Sequence, residues 1–135
     1  MLYYLYKYRF MQKRIMFGVW LCFILLMVSC GENHGYSGKI IFEANGGSRM
    51  VSGEEYFDGL EITDYNGDGK NTNGFSYDDS DSVSVTYQWL TVKGKKFERD
   101  IVIVAEPNET GKKRELYVAV HVGNSFDEIK VVQTK

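Results

Sequence analysis

Beyond residue 30 the chain has no cysteine; the two it carries are Cys22 and Cys30. Cys22 lies in an apolar run that export would discard. The exported chain would then hold one thiol, with no internal disulfide and no cysteine-based metal site. Such a domain has to be held by its apolar core. Proline is nearly absent, with Pro107 alone, and nothing after Glu32 shows a helical apolar period. No acidic residue precedes Glu32, although the chain carries 18. Four of the 16 basic residues (Lys7, Arg9, Lys13 and Arg14) precede the apolar run. From Cys30 onward there are 12 basic and 18 acidic side chains, a formal charge of -6. That balance excludes ordinary nucleic-acid binding, which needs clustered Lys and Arg. Lys95-Lys96 and Lys112-Lys113-Arg114 sit between strand-like runs and read as solvated turn charges. Motifs of catalysis are also missing: no nucleophile elbow, no P-loop, no histidine pair at metal spacing. The adjacent carboxylates Glu54-Glu55 and Asp78-Asp79 do not read as a pair facing each other across a cleft. A non-enzymatic role is the expectation.

What is present begins at the N-terminus. Residues 15–28 read IMFGVWLCFILLMV, fourteen positions without a charge. A bilayer-spanning helix needs about 20 apolar residues, whereas a signal-peptide core needs about 7 to 15 behind a basic segment. Lys13 and Arg14 supply the charge. Met11 would make a conventional start, leaving residues 1–10 as an over-extended start or a long basic region. The run ends in Met27-Val28-Ser29-Cys30-Gly31, which resembles the lipobox of bacterial lipoproteins. By that resemblance residues 1–29 are a signal peptide, cleaved as a helix, and Cys30 receives acyl chains such as palmitate. Several chains make a stable anchor where one does not. Gly31 in place of Asp implies sorting to the outer membrane, on its periplasmic or surface face. A plain signal peptide or an uncleaved anchor is the alternative.

The rest alternates with period two. Runs at 38–44, 49–57, 60–63, 82–90, 97–105, 114–122 and 126–133 read as strands. Val83, Val85, Tyr87 and Trp89 share one face. Phe97, Ile101, Ile103 and Ala105 share another, as do Leu116, Val118, Val120 and Val122. Gly46-Gly47, the polar stretch 67–81, Pro107 to Gly111 and Gly123 to Ser125 are turns and loops. About seven short strands predict an all-β sandwich over 38–135, with 30–37 as a lipidated tether. Trp89 is expected to seed the core between the sheets.

Four pieces of this region together resemble the BACON domain, an immunoglobulin-like module of exported bacterial proteins. They are Ile41-Phe42-Glu43-Ala44-Asn45-Gly46-Gly47, Trp89-Leu90-Thr91-Val92, Asn108-Glu109-Thr110-Gly111 with Arg114, and Ile129-Lys130-Val131-Val132-Gln133. The resemblance covers 36–133 and implies a non-catalytic module for glycan or mucin. The stretch between Gly59 and Ser82 departs from it, being longer and more acidic. On its own chemistry, Arg114 either bonds turn carbonyls or is a solvated edge charge.

Candidate site residues cluster in that departing stretch. Tyr65, Phe75 and Tyr77 could stack on sugar rings while Asn66, Asn71 and Asn73 bond hydroxyls; equally, the rings could fold inward as a cap. Asp64, Asn66 and Asp68 match the first half of a calcium loop, but the twelfth position is Phe75 rather than an acid. A polar turn is the better reading, so no cofactor is expected. Ser82, after Asp81, resembles an O-glycosylation acceptor of some of these bacteria. The partners that fit are a membrane through the lipid, and a glycan or an exported protein. A structural subunit of an envelope complex is the competing function.

Overall fold

The structure is a computed structural model that describes residues 31–65, the backbone of 71–74, and 81–135. The N-terminal segment up to residue 30, with Cys30 and the expected signal-peptide helix, lies outside the described residues.

Nine strands form two sheets among the described residues. The first sheet runs β1 (Gly38–Phe42), β9 (Ser125–Gln133), β8 (Arg114–Val122), β3 (Gly59–Thr63), β4 (Asn71–Gly74). The second runs β2 (Gly47–Ser52), β7 (Asp100–Ala105), β6 (Leu90–Lys95), β5 (Ser82–Tyr87). Every pairing is antiparallel except β1 with β9. No described helix is long and apolar enough to cross a membrane.

The sheets pack face to face because alternation gives each strand one apolar side. Val83, Val85, Val92, Ile101 and Ile103 meet Leu60, Ile62, Leu116, Val118, Val120, Ile129 and Val131, all buried. Two strands exceed the predicted seven. β4 forms inside the stretch read as a loop. β6 separates from β5 because the chain reverses at Gln88-Trp89, with Tyr87 opposite Leu90. Trp89 is therefore buried at the sandwich end rather than along a strand face.

Phe97 also departs from its predicted side. It lies before β7 at a positive φ of 62° and is 68% exposed. The turn between β6 and β7 points it away from Ile101 and Ile103. The tether reads differently as well: Tyr36 is fully buried, edge-on to Phe57 with ring centroids 6.4 Å apart. Gly53 makes room for that ring, since a Cβ there would lie 2.1 Å from Tyr36 Cζ.

Candidate functional site

The end of the sandwich at Trp89 is assembled from distant parts of the chain. It gathers the β5–β6 turn, the β1–β2 connection, the end of β3, the 106–113 segment and the last residues of β9. Gln133 at its centre is a fully buried amide. Its Nε2 donates toward the carbonyls of Glu106 (2.8 Å), Glu43 (3.1 Å) and Ala44 (3.4 Å), and its Oε1 accepts from Arg114 Nε at 2.9 Å. Arg114 Nη2 donates to the carbonyls of Pro107 and Glu106 at 3.1 and 3.2 Å. Its guanidinium lies 4.7 Å from the centroid of Trp89. The turn-carbonyl role is thus the one Arg114 takes, with stacking on Trp89 added to it. Burial lowers its pKa, with the Glu106 charge acting the other way.

Asn108 holds the adjoining turn. Its Nδ2 donates to the carbonyls of Lys112 and Thr134 at 2.7 and 2.8 Å, and its Oδ1 accepts from the Thr110 N–H and hydroxyl. Gly46 closes the β1–β2 connection at a φ of +76°, where a Cβ would meet the Ala105 carbonyl at 2.3 Å. Only glycine takes that conformation in that space.

These groups surround an open cleft of about 670 Å³ lined by Trp89, Gln88, Arg114, Lys113, Glu115 and Asp64 among others. Its volume falls in the range of small-ligand sites. Gln88 on its lip has a positive φ of 51°, a strained conformation for a residue with a side chain and one that recurs at binding loops.

Asp64 and Glu115 of the cleft border the outer face of the first sheet. Tyr65, next to Asp64, is 61% exposed. Its ring stands edge-on to Tyr117 with centroids 4.8 Å apart, and its hydroxyl donates to Glu128 Oε2 at 2.7 Å. That hydrogen bond, more than partial burial, raises the Tyr65 pKa. Lys130 Nζ lies 5.6 Å from the Tyr117 centroid and 3.1 Å from Glu115 Oε2. The Glu115 bond is the main cause of the raised Lys130 pKa. Further along the face, His121 pairs with Glu61 at 3.1 Å and packs against the exposed ring of Phe126. The result is a surface of aromatic rings between acids and one lysine, beside a polar cleft. It can stack an apolar ring face and hydrogen-bond its rim.

Of the predicted contact residues, the structure describes Tyr65 and the backbone of Asn71 and Asn73. β4 divides the stretch into a β3–β4 connection at the cleft end and a β4–β5 connection that starts after Gly74, which pairs with Leu60. Tyr65 falls to the first and points outward rather than into the core. Asn71 and Asn73 lie on β4, opposite Thr63 and Glu61 in register. Asn66, Asp68, Phe75, Tyr77 and the Asp78-Asp79 pair lie outside the described residues. Asp64 is nearly buried at the end of β3. Among the described residues no group of three or more His, Cys, Asp or Glu could hold a metal ion. Ser82 is exposed at the start of β5. The sequence reading missed the Trp89–Arg114 cleft and Tyr117. Arg114, Gln133 and Asn108 were visible as motif positions, but their convergence was not.

No family model matches the chain, and no curated protein is similar to it. Two solved structures resemble its fold. One is a Bacteroides ovatus GH5 xyloglucanase in complex with a XXXG heptasaccharide, 17% identical with a TM-score of 0.48. The match covers 76% of this chain and 18% of the xyloglucanase chain. The other is a protein from Bacteroides thetaiotaomicron solved by NMR, 27% identical with a TM-score of 0.49, covering 78% of this chain and 80% of that one.

Proposed function

We propose that this chain is a bacterial lipoprotein, anchored through Cys30, whose immunoglobulin-like, BACON-like sandwich is a non-catalytic receptor for a glycan. The sugar would lie across Tyr65 and Tyr117 with its end in the Trp89 cleft. The observation that carries this reading is the exposed Tyr65 ring. It is held against Tyr117 and fixed by Glu128, although an exposed aromatic ring gains little by standing in water. Pre-set rings lower the ordering cost of binding. The cleft beside them supplies amide, carboxylate and ammonium groups for hydroxyls. The N-terminal run from Lys13 to Cys30 supports export and lipid attachment, and the outer membrane is the destination its Gly31 favours.

A glycan array probed with the purified protein tests the reading. A hit that weakens at least tenfold in a Tyr65→Ala/Tyr117→Ala variant is expected; unchanged binding in that variant would remove the face from the site. Mass spectrometry of membrane-extracted protein tests the anchor, with acyl chains expected on Cys30.

A second reading, an assembly subunit packing on an exported protein, draws on one feature. β2 is an outermost strand, and its Met50 is 68% exposed. Such an edge can accept a partner strand. A Met50→Lys variant that lost a co-purifying partner yet kept glycan binding would favour this reading.

A further inference from the structure

At the opposite end of the sandwich the polypeptide is closed by its own N-terminal segment, through His34 and Tyr36. The His34 side chain is buried, with Nδ1 2.8 Å from Glu55 Oε1 and Nε2 2.6 Å from Ser125 Oγ. The Ser125 hydroxyl also lies 3.2 Å from the Val122 carbonyl. With the hydroxyl proton on that carbonyl, Nε2 donates to Oγ and Nδ1 to the Glu55 carboxylate, and the ring is the imidazolium. A neutral ring protonated on Nδ1 keeps the Glu55 bond and accepts the Ser125 proton, but gives up the Val122 bond and the charge that pairs with Glu55.

The backbone around the ring is tied down as well. Asp127 Oδ2 accepts from the N–H groups of His34 and Tyr36 at 2.8 and 2.9 Å, and the His34 carbonyl accepts from Glu54 N–H at 2.8 Å. The Tyr36 hydroxyl lies 2.7 Å from the Glu55 carbonyl and 2.9 Å from that of Arg99. The charged groups acting on His34 are Glu55 from the β2–β3 connection, Asp127 from β9, and Glu32 from its own segment. Arg99 and Asp100 face Tyr36 instead.

We propose that His34 is a proton-held latch docking residues 34–35 onto the sandwich, with Tyr36 as its fixed pin. When the ring loses its proton the charge pairing with Glu55 goes, and the hold weakens until the segment frees as far as Tyr36. Release adds two residues, at most about 7 Å of reach, between residue 30 and the domain. If Cys30 is the lipid site, the latch sets how far the domain stands from the membrane; that consequence rests on the proposed anchoring, whereas the latch does not. The Glu55 hydrogen bond, helped by the charges of Glu55, Asp127 and Glu32 and opposed by burial, holds the histidine above its ordinary value of 6.5. The latch is therefore fully closed below that ordinary value and opens as pH rises through the raised one.

The test is an NMR titration of the full chain in detergent with ¹⁵N-labelled histidine. The chain has two histidines, and a His121→Gln variant assigns them. His34 is expected to show both ring nitrogens protonated near neutral pH, with a midpoint above 6.5 that falls in Glu55→Gln. The amide of Glu54 should shift with the same midpoint, while that of Tyr36 stays in place. A neutral His34 ring below its ordinary value, or a Glu54 amide indifferent to pH, would overturn the latch. Asp127→Asn keeps an acceptor for the two N–H groups, so it should fold and titrate at a lower midpoint; an unmoved midpoint would count against the proposed charge set. The same titration on Cys30→Ala is expected to be unchanged. Failure of acylation in the wild type would then sink the anchor alone, and failure of the titration the latch alone.

Discussion

The two ends of the sandwich are closed by different chemistry. At the Trp89 end, Gln133 and Asn108 bridge backbone carbonyls with neutral amides, and Arg114 stays charged at every ordinary pH. At the His34 end, the bridging groups are a histidine and carboxylates. Amide bridges do not titrate, whereas the histidine bridge of the second end does. The filling differs too. Tyr36 and Phe57 plug the His34 end with rings, whereas the Trp89 end keeps an open cleft. A closed end suits attachment and an open one suits recognition.

The largest effect is expected from Gln133→Ala. It strips bonds from Glu43, Ala44, Glu106 and Arg114 at once and should cost about 3 kcal/mol. Urea unfolding should give the same loss at acidic and alkaline pH. In His34→Gln the loss of Tm relative to wild type should be largest at acidic pH and shrink as pH rises through the raised histidine pKa. If both losses were flat with pH, the contrast between the ends would disappear. Gly53→Ala comes next, at about 2 kcal/mol, because its methyl would overlap the Tyr36 ring. A paired Tyr36→Leu change should recover part of it, and no recovery would mean the ring is not what Gly53 accommodates. Arg114→Met should cost about 1 kcal/mol through the lost carbonyl bonds and cation–π contact, read as a lower urea midpoint. It should also alter ligand affinity at the cleft. Tyr65→Phe is the smallest, about 0.5 kcal/mol or less in stability for an exposed bond to Glu128. It would sharpen the picture if glycan binding fell while stability barely moved.

Much of the sheet structure was legible in residue order. β8 and β9 coincide with their predicted runs to within a residue, because strict alternation is flanked by Gly123 on one side and Gly111 on the other. The reversal at Gln88-Trp89 was not legible. It contains no Gly, Asn, Asp or Pro, and tertiary packing of Trp89 under Arg114 holds Gln88 in a conformation its own propensity disfavours. Phe97 failed for the reverse reason: its alternation with Ile101 was genuine, but a turn with positive φ broke the phase between them. At the candidate site Tyr65 was named from the sequence but its ring partner was not, because Tyr117 sits 52 positions away in a strand whose other face is core.

By itself the amino-acid order determined the secondary-structure class, the buried faces of the regular strands and the charge balance. These follow from side-chain periodicity and composition, which act over a few residues. Only the tertiary structure decided that His34 meets Ser125, that Gln133 meets three distant carbonyls, and that Tyr65 meets Tyr117. Each of those pairings spans a crossing between strands distant in sequence. Which strands become neighbours is set by the packing of two whole sheets, a property that no local window of sequence contains.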